Sequence, residues 1–414
     1  MREKPNCIFG VSKTVFTLGI VSFLTDISSE MLVPILPLFL GVVLGASGEV
    51  LGLIEGVAES TAQLLRVWAG YLADRSGRPK LLTSMGYGLS AITKPFLMIA
   101  TSWPRVFAIR FSERFGKGIR SAPRDVLIAN TTEQATRGRA FGFHRAMDTA
   151  GATLGPLVVL ALGWFVFGRT FLTTPGKQHA DIYRLIFLAA TVPAVLGWLV
   201  LQFFVREQPK EARPAEKPKL SLAGFDPRYR VFLFVLVIFS IGNSSDAFLV
   251  WRATRAPISM DLFSFLIVYV VFNALSAVVA FRSGVISDRI GRKPVILAGW
   301  LVFAASYLGI ALSKTPTGIW VWFTIYGAYY GMTEGMLKAF AVDLAPANLR
   351  GTAVGMFYTV TGLAALPASI AAGFLWRSIG HSAPFFYGAV TALIAALLLA
   401  VLVRPGESVP VDGP

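Results

Sequence analysis

The chain has 414 residues, of which 55% are hydrophobic and only 15% are charged. A soluble domain carries about 25% charged residues, so this chain lacks the polar surface that a water-soluble enzyme needs. Its apolar residues form runs of about 20, the length that crosses roughly 30 Å of hydrocarbon. We therefore expect an all-α protein that crosses a membrane many times.

The small number of cysteines and histidines limits the chemistry that the chain can support. The single cysteine, Cys7, excludes an intramolecular disulfide. The three histidines do not cluster with it, so neither a metal site nor a cofactor is predicted. The first apolar stretch, 14–42, is too long for the core of a signal peptide, and we expect it to remain as the first span.

Hydropathy and turn signals predict twelve spanning helices, six on either side of a charged, proline-rich segment. They lie at about 14–42, 48–73, 81–102, 104–128, 138–166, 184–205, 230–252, 261–286, 294–313, 318–343, 351–376 and 383–403. The intervening segment has the composition of a flexible linker. The predicted domains are an N-terminal six-helix bundle (1–205), a cytoplasmic linker (206–229) and a C-terminal six-helix bundle (230–414).

The net charge of +15 would also suit a nucleic-acid-binding protein, but its distribution indicates a membrane role. The basic residues gather in loops on one side: Arg2, Lys4, the turn 75–80, Arg137, Arg139, the linker, the turn 289–293, Arg350 and Arg404. Cytoplasmic loops carry such an excess, so both termini are predicted to be cytoplasmic, in the inner or plasma membrane. The positive charge is then explained by topology and lipid contact, and no nucleic-acid partner is predicted.

The two halves of the chain repeat three motifs in the same order. Gly-Tyr-Leu-Ala-Asp-Arg-Ser-Gly-Arg at 70–78 matches Gly-Val-Ile-Ser-Asp-Arg-Ile-Gly-Arg at 284–292. Arg-Gly-x-Ala-x-Gly at 137–142 matches 350–355, and Ser-Ser-Glu at 28–30 matches Ser-Ser-Asp at 244–246. The offsets are 214, 213 and 216 residues, which indicates two parallel repeats with a central cavity between them.

The duplicated G-x-x-x-D-R-x-G-R turn resembles the signature between helices 2 and 3 of the major facilitator superfamily. This resemblance covers the whole chain and implies two pseudo-symmetric six-helix bundles, alternating access and a monomer. It also implies that the two turns form a cytoplasmic gate, with topological punctuation as the alternative. The gate residues are Gly70, Asp74, Arg75, Gly77 and Arg78 in the first turn and Gly284, Asp288, Arg289, Gly291 and Arg292 in the second.

The fifth predicted span carries a second, shorter resemblance. Gly151, Gly155 and Pro156 match the G-x-x-x-G-P core of a motif typical of proton-coupled drug efflux antiporters, although Leu157–Leu160 replace the paired glycines that usually follow. Small residues at this spacing also occur in ordinary packed membrane helices. Related antiporters have an R-x-x-Q-G pattern in helix 4, where this chain has Lys117 in place of the glutamine.

The fourth predicted span has a charged stripe, and charges inside a membrane are costly enough to suggest function. Arg110, Glu113, Arg114, Lys117, Arg120 and Arg124 recur every three or four residues, which places them on one helical face. Arg110, Glu113, Arg114 and Lys117 are predicted to bind substrate. The alternative is a structural ion network that stiffens the N-terminal half.

The predicted proton-coupling residues are Asp26 and Glu30, one turn apart on the first span, and His144 and Asp148, one turn apart on the fifth. A carboxylate near an arginine in a half-dry cavity can carry a proton, and its protonation can be coupled to substrate release. His144 has hydrogen-bonded packing as its alternative role.

The C-terminal half carries fewer charges and more aromatic residues. Its residues predicted to bind substrate are Asn243, Asp246, Tyr326, Tyr330, Glu334 and Lys338. Glu334 and Lys338 lie four residues apart, so they could instead neutralise each other.

The leading functional prediction is a secondary transporter that exports a small organic solute in exchange for protons. Its partners would be the solute, protons and the bilayer. The alternative is uptake or exchange of an anionic metabolite through a basic cavity, and a receptor without transport is the alternative from a different class. The chain has no phosphate-binding loop, no zinc-protease motif and no appended soluble domain, so an enzyme is not predicted.

Overall fold

The computed structural model describes residues 7–8, 10–132, 136–174, 176–206, 222, 224–346 and 349–403. These residues form an all-α membrane protein, with a single short hairpin of β1 (Cys7–Ile8) and β2 (Val11–Ser12) before the first helix. Most of the predicted linker, 207–221 and 223, lies outside the described residues, as do parts of both termini.

The N-terminal half contains the six predicted spans and one extra short helix. Its helices are α1 (Lys13–Leu32), α2 (Ile35–Leu38), α3 (Gly48–Ser76), α4 (Pro79–Thr93), α5 (Trp103–Asn130), α6 (Arg137–Phe165), α7 (Arg169–Thr173) and α8 (Ala180–Phe204). Ser12 caps α1 by accepting a hydrogen bond from the backbone of Val15. The first span continues from α1 through α2 into a π-helical turn at Phe39–Val43.

The C-terminal half contains α9 (Pro227–Gly242), α10 (Ala247–Thr254), α11 (Leu262–Ile290), α12 (Arg292–Leu312), α13 (Pro316–Asp343), α14 (Arg350–Ser378) and α15 (Ala383–Leu402). The seventh span was predicted as one helix but is broken between Gly242 and Ala247. At the polar segment 243–246, the backbone N–H of Ala247 donates to the side chain of Ser245, a local bond that competes with the helical pattern.

Eight of the described helical segments are long and apolar enough to cross a membrane by composition alone. The other four spanning positions are α3, α4, α5 and α13. The α5 helix carries the charged stripe, α4 has only 15 residues, and α13 is rich in tyrosine and glycine. Three of these helices therefore fall below the apolar threshold because they carry polar residues or are short.

The same pairs of helices pack against each other in both halves, which supports the internal repeat. In the N-terminal half, α1 packs on α6 and α8, while α5 packs on α3 and α4. In the C-terminal half, α9 packs on α14 and α15, while α13 packs on α11 and α12. Between the halves, α3 packs along α14 and α6 packs on α11.

The halves are closest at one end of the bundle. We call the end with the turns 75–80 and 289–293 the basic end, and the other the opposite end. At the opposite end, a Cβ atom added to Gly52 would lie 2.1 Å from the carbonyl oxygen of Ser369. Arg377 also bonds Glu49 at 2.7 Å across the halves there. At the basic end, a Cβ on Gly142 or Gly335 would meet no atom within 4 Å. The described halves thus pack closely at the opposite end, whereas these two glycine positions at the basic end are open.

Candidate substrate and proton site

A buried ion triad lies on the α5 stripe. Arg110 donates from Nε and Nη2 to both carboxylate oxygens of Glu55 at 3.0 and 3.1 Å, and from Nη1 to Glu113 at 2.6 Å. All three side chains are at least 90% buried. Such a bidentate arrangement satisfies the guanidinium and leaves it little capacity for a ligand. Two predicted substrate residues, Arg110 and Glu113, are therefore saturated by each other and by Glu55, which the predicted substrate set omitted.

The next two cations of the stripe are less constrained. Arg114 Nη1 lies 3.8 Å from Glu59, whose carboxylate also accepts a hydrogen bond from Gln63 at 2.8 Å. Lys117, one turn further along, is half-buried and makes no hydrogen bond or ion pair with any described residue. Its charged neighbours include Arg114, Glu59 and Asp26. Lys117 is therefore the stripe cation whose ammonium group is available to a ligand.

The two carboxylates of α1 lie where α6 crosses closest. A Cβ added to Gly151 would lie 3.0 Å from the Cβ of Asp26, and one added to Gly155 would lie 2.7 Å from the Cβ of Glu30. These glycines allow α6 to pack directly on the acidic face of α1. Pro156 follows within α6. The predicted antiporter-like motif and the predicted proton carriers are thus brought together.

Asp26 and Glu30 have different partners. Glu30 Oε2 accepts a 2.8 Å hydrogen bond from the hydroxyl of Tyr269 on α11, which links the two halves. Asp26 has no hydrogen bond among the described residues, and the charges that act on it are Asp148, Lys117, Arg120 and Glu30. Asp26 is therefore within electrostatic range of both the ammonium group of Lys117 on α5 and the carboxylate of Asp148 on α6.

His144 and Asp148 are adjacent, as predicted from their spacing. His144 Nδ1 lies 3.5 Å from Asp148, and Nε2 lies 2.8 Å from the hydroxyl of Ser22 on α1. That hydroxyl also contacts Tyr87 at 3.2 Å and Arg124 at 3.1 Å. Ser22 and Tyr87 were not predicted, because a hydroxyl residue in an apolar span gives no distinctive sequence signal.

Two more buried cations, one on α5 and one that follows α4, have neutral partners. Lys94, only 1% exposed, donates to the hydroxyls of Ser28 and Ser29. Arg120 donates to Ser90 at 3.0 Å and its guanidinium lies 4.3 Å from the ring centre of Tyr87. Since buried charges need compensation, they add to the positive potential that balances the carboxylates of α1.

The C-terminal wall is aromatic. Asp246 accepts hydrogen bonds from Tyr326 at 2.9 Å and Tyr330 at 2.8 Å, so three predicted residues meet. The amide of Asn243 donates to the hydroxyl of Tyr329 at 3.3 Å. Phe272 on α11 stacks on Tyr326 with ring centres 5.7 Å apart. Tyr329 and Phe272 were missed because aromatic residues in spans usually only pack.

The alternative role of Glu334 and Lys338, in which they neutralise each other, is wrong. Glu334 bonds Arg145 of the N-terminal half instead. Lys338 lies 5.7 Å from the ring centre of Tyr358, which also faces Arg66 of the other half at 4.5 Å. The spacing rule failed because each side chain found a partner on a neighbouring helix instead of its own.

The predicted gate turns have partly symmetric structures. Gly77 and Gly291 end α3 and α11 with φ of 62° and 86°, a backbone conformation that favours glycine. Arg75 donates to Tyr71 at 3.2 Å, and Arg292 bonds Asp343 at 2.5 Å, while Arg78 and Arg289 are exposed. Gly70 faces Ala122, and a Cβ on Gly284 would meet no atom. The side chains of Asp74 and Asp288 lie outside the described residues.

Two matching six-helix repeats, with charged and aromatic walls facing each other, define a membrane transporter. The family model of the Major Facilitator Superfamily matches residues 18–369. The chain is 35% identical to the uncharacterized MFS-type transporter MJ1317 of Methanocaldococcus jannaschii, over 94% of each chain. It is 27% identical to a probable 4-methylmuconolactone transporter of Cupriavidus pinatubonensis, over 75% of this chain and 72% of the relative.

Solved structures share the fold at low sequence identity. A POT family transporter in complex with 5-aminolevulinic acid matches with a TM-score of 0.78 at 14% identity, over 96% of this chain and 97% of that one. The family model and the 35% identical relative show that the chain belongs to the major facilitator superfamily. It is a multi-pass membrane transporter with the predicted two-bundle fold, and the two relatives described above are named as transporters.

Proposed function

We propose that this transporter is proton-coupled and moves a small organic anion with a planar apolar body. The observation that carries the proposal is Lys117, an ammonium group on α5 with no partner among the described residues. An unpaired charge inside a membrane protein is costly unless a ligand or water compensates it. The aromatic wall around Tyr326 and Phe272 would pack against the apolar body. The relative named as a probable 4-methylmuconolactone transporter supports a small organic solute.

The position of Asp26 sets the direction of coupling. While Asp26 is ionised, its negative charge acts on Lys117 and opposes the binding of an anion there. Protonation of Asp26 removes that opposition, so a proton and an anion favour each other's binding. Two ligands that bind together cross together, which makes the transporter a proton–anion symporter. An inward proton gradient would then drive uptake.

Proton antiport with export of a cationic solute is the second candidate, and it is a specific form of the sequence prediction of a proton-coupled exporter of a small organic solute. The packing of Gly151 and Gly155 on α1 beside Asp26 and Glu30 favours it, because this glycine motif resembles that of efflux antiporters. A cation and a proton would compete for the same carboxylate, and competition produces exchange. The two candidates therefore differ in the sign of proton movement.

The orientation and the gate complete the proposal. The basic end would face the cytoplasm of the inner or plasma membrane, by the excess of Lys and Arg in its loops. The turns 70–78 and 284–292 would close this end. The two six-helix bundles would rock about the described seam of α3 and α14 within a monomer.

The test uses proteoliposomes that contain a trapped pH dye and no imposed gradient. The added solutes are benzenesulfonate and phthalate as aromatic anions, and benzyltrimethylammonium as a matched cation. Benzenesulfonate and benzyltrimethylammonium carry fixed charges, so a pH change on their addition reports coupled protons. Symport acidifies the lumen when an anion enters, and antiport makes the lumen more alkaline when the cation enters. Either sign is independent of protein orientation.

Matched variants link the signal to the site. Lys117→Gln should abolish the anion response, Lys117→Arg should keep part of it, and Asp26→Asn should leave solute flux without proton movement. The proposal is overturned if no anion moves protons, and the second candidate replaces it if only the cation does. Protein-dependent solute flux without any proton movement would overturn both.

A further inference from the structure

We propose that Asp26 and Asp148 form one proton-binding pair, and that His144 is the positioning residue of this pair instead of a proton carrier. The inference rests on the proposed proton coupling and deepens it. It assigns new roles to Ser22, Tyr87 and Arg124, which hold His144 in place.

The geometry of the α1–α6 contact brings the two carboxylates together. The helices run in the same direction, since Ser22 meets His144 and, further along both chains, Glu30 meets Gly155. Asp26 lies one turn beyond Ser22, and Asp148 lies one turn beyond His144. The Cβ position of Gly151, on the face shared with Asp148, is 3.0 Å from the Cβ of Asp26.

Hydrogen-bond accounting fixes the state of His144. Arg124 can only donate to Ser22, and a serine hydroxyl has a single proton to give. A neutral ring with its proton on Nε2 would present the lone pair of Nδ1 to the Asp148 carboxylate, which is repulsive. The ring proton therefore belongs on Nδ1, directed to Asp148, and the Ser22 proton goes to Nε2. Ser22 then accepts from both Arg124 and Tyr87.

A second proton on His144 has no place in this arrangement. It would have to be donated to a Ser22 oxygen that already accepts from a guanidinium. Arg124 and Arg145 both act on the ring, and Asp125 is the opposing carboxylate. His144 is also buried, with 4% exposure. The ring is therefore neutral, and its Nδ1 proton faces the Asp148 carboxylate 3.5 Å away.

The proton has a ready acceptor on the carboxylates. Asp148 Oδ1 is buried and has no hydrogen-bond partner among the described residues. Two close carboxylates favour a single shared proton, because both cannot ionise cheaply side by side. Lys117 and Arg120 act on Asp26 in the opposite sense, and Glu30 adds to the repulsion. A proton taken from water and bound between the two carboxyl groups satisfies the free oxygen.

The experiment is an infrared titration of the purified protein, which follows the carbonyl band of protonated carboxyl groups and needs no substrate. Asp26→Asn and Asp148→Asn should each remove or shift the same titration by at least about one pH unit, and the double variant should add little. His144→Asn keeps a side-chain N–H at the position of Nδ1 and should leave the titration in place. His144→Leu, which removes that donor, should shift it, as should Ser22→Ala but not Ser22→Thr.

Two results would overturn the inference. One is an unchanged titration in either aspartate variant, which would show that Asp26 and Asp148 do not share a proton. The other is an equal shift in His144→Asn and His144→Leu, which would make the imidazole itself the titrating group. Size-exclusion profiles exclude misfolded variants, and Asp181→Asn, on the exposed start of α8, is the control for a carboxyl removed elsewhere. A failure of the proton–solute assay with a normal titration would refute the proposed function alone.

Discussion

The two halves have the same helical framework but line the centre of the molecule with different chemistry. The helices α5 and α13 occupy equivalent positions in the repeat and have 28 residues each. Aligned from their first residues, Arg110, Glu113 and Lys117 of α5 correspond to Phe323, Tyr326 and Tyr330 of α13. An ionic stripe in one half is therefore an aromatic stripe in the other. The two repeats thus share the arrangement of their helices, while the charged residues are concentrated in one of them.

The first helices of the two halves show the same division. Glu30 and its counterpart Asp246 both accept hydrogen bonds from tyrosine hydroxyls. The tyrosines that bind Asp246 belong to its own half, whereas the tyrosine that binds Glu30 belongs to the other. One carboxylate is thus fixed within a rigid wall, and the other depends on how the halves are arranged.

The largest expected difference between the halves concerns the stability of equivalent positions on α5 and α13. Arg110→Leu leaves Glu55 and Glu113 buried without their cation, which should lower the free energy of unfolding by about 3–5 kcal/mol. Phe323→Leu, in the aromatic stripe, should cost less than about 1.5 kcal/mol because its volume is nearly kept. Unfolding in mixed micelles, followed by tryptophan fluorescence, measures both. Equal losses would show that the ionic and aromatic stripes contribute alike.

The next effect concerns the seam between the halves. Gly52→Ala places a Cβ 2.1 Å from a backbone oxygen of α14, so the opposite end should no longer close. A Ser60→Cys reporter, in a Cys7→Ser background, lies buried in this seam and should react faster with a maleimide. Gly142→Ala is the control, since its added Cβ meets no atom. Unchanged labelling in Gly52→Ala would mean that the seam adapts without opening.

The smallest effect is expected for the ion pair that crosses the halves near the basic end. Arg145 and Glu334 have side chains that are 61% and 51% exposed, so water screens their attraction. Arg145→Gln should change the free energy of unfolding by at most about 1 kcal/mol. The exchanged pair Arg145→Glu with Glu334→Arg should restore any loss. A change of several kcal/mol would show that the pair is desolvated in the membrane.

The sequence predicted the helices and the repeat well, because both depend on local patterns. The twelve spans and the α5 stripe followed from hydropathy and spacing, whereas the contact of Asp246 with Tyr326 and Tyr330 is a finding of the structure. Spacing could not separate Arg110 from Lys117, since both lie on the same face. The difference arises on α3, where Glu55 reaches Arg110. A partner on another helix cannot be predicted from the sequence of the helix that carries the charge.

The glycine pair of α6 has a consequence for how this chain can change over evolutionary time. Any larger residue at Gly151 or Gly155 would collide with α1 at the level of Asp26 or Glu30. The presence of glycine at these two positions of α6 is thus a consequence of the close packing of α1. A relative with larger residues at these two positions should also have moved or replaced the carboxylates that correspond to Asp26 and Glu30. Replacement of these two glycines in a relative would therefore indicate that its coupling ion or its coupling residues differ.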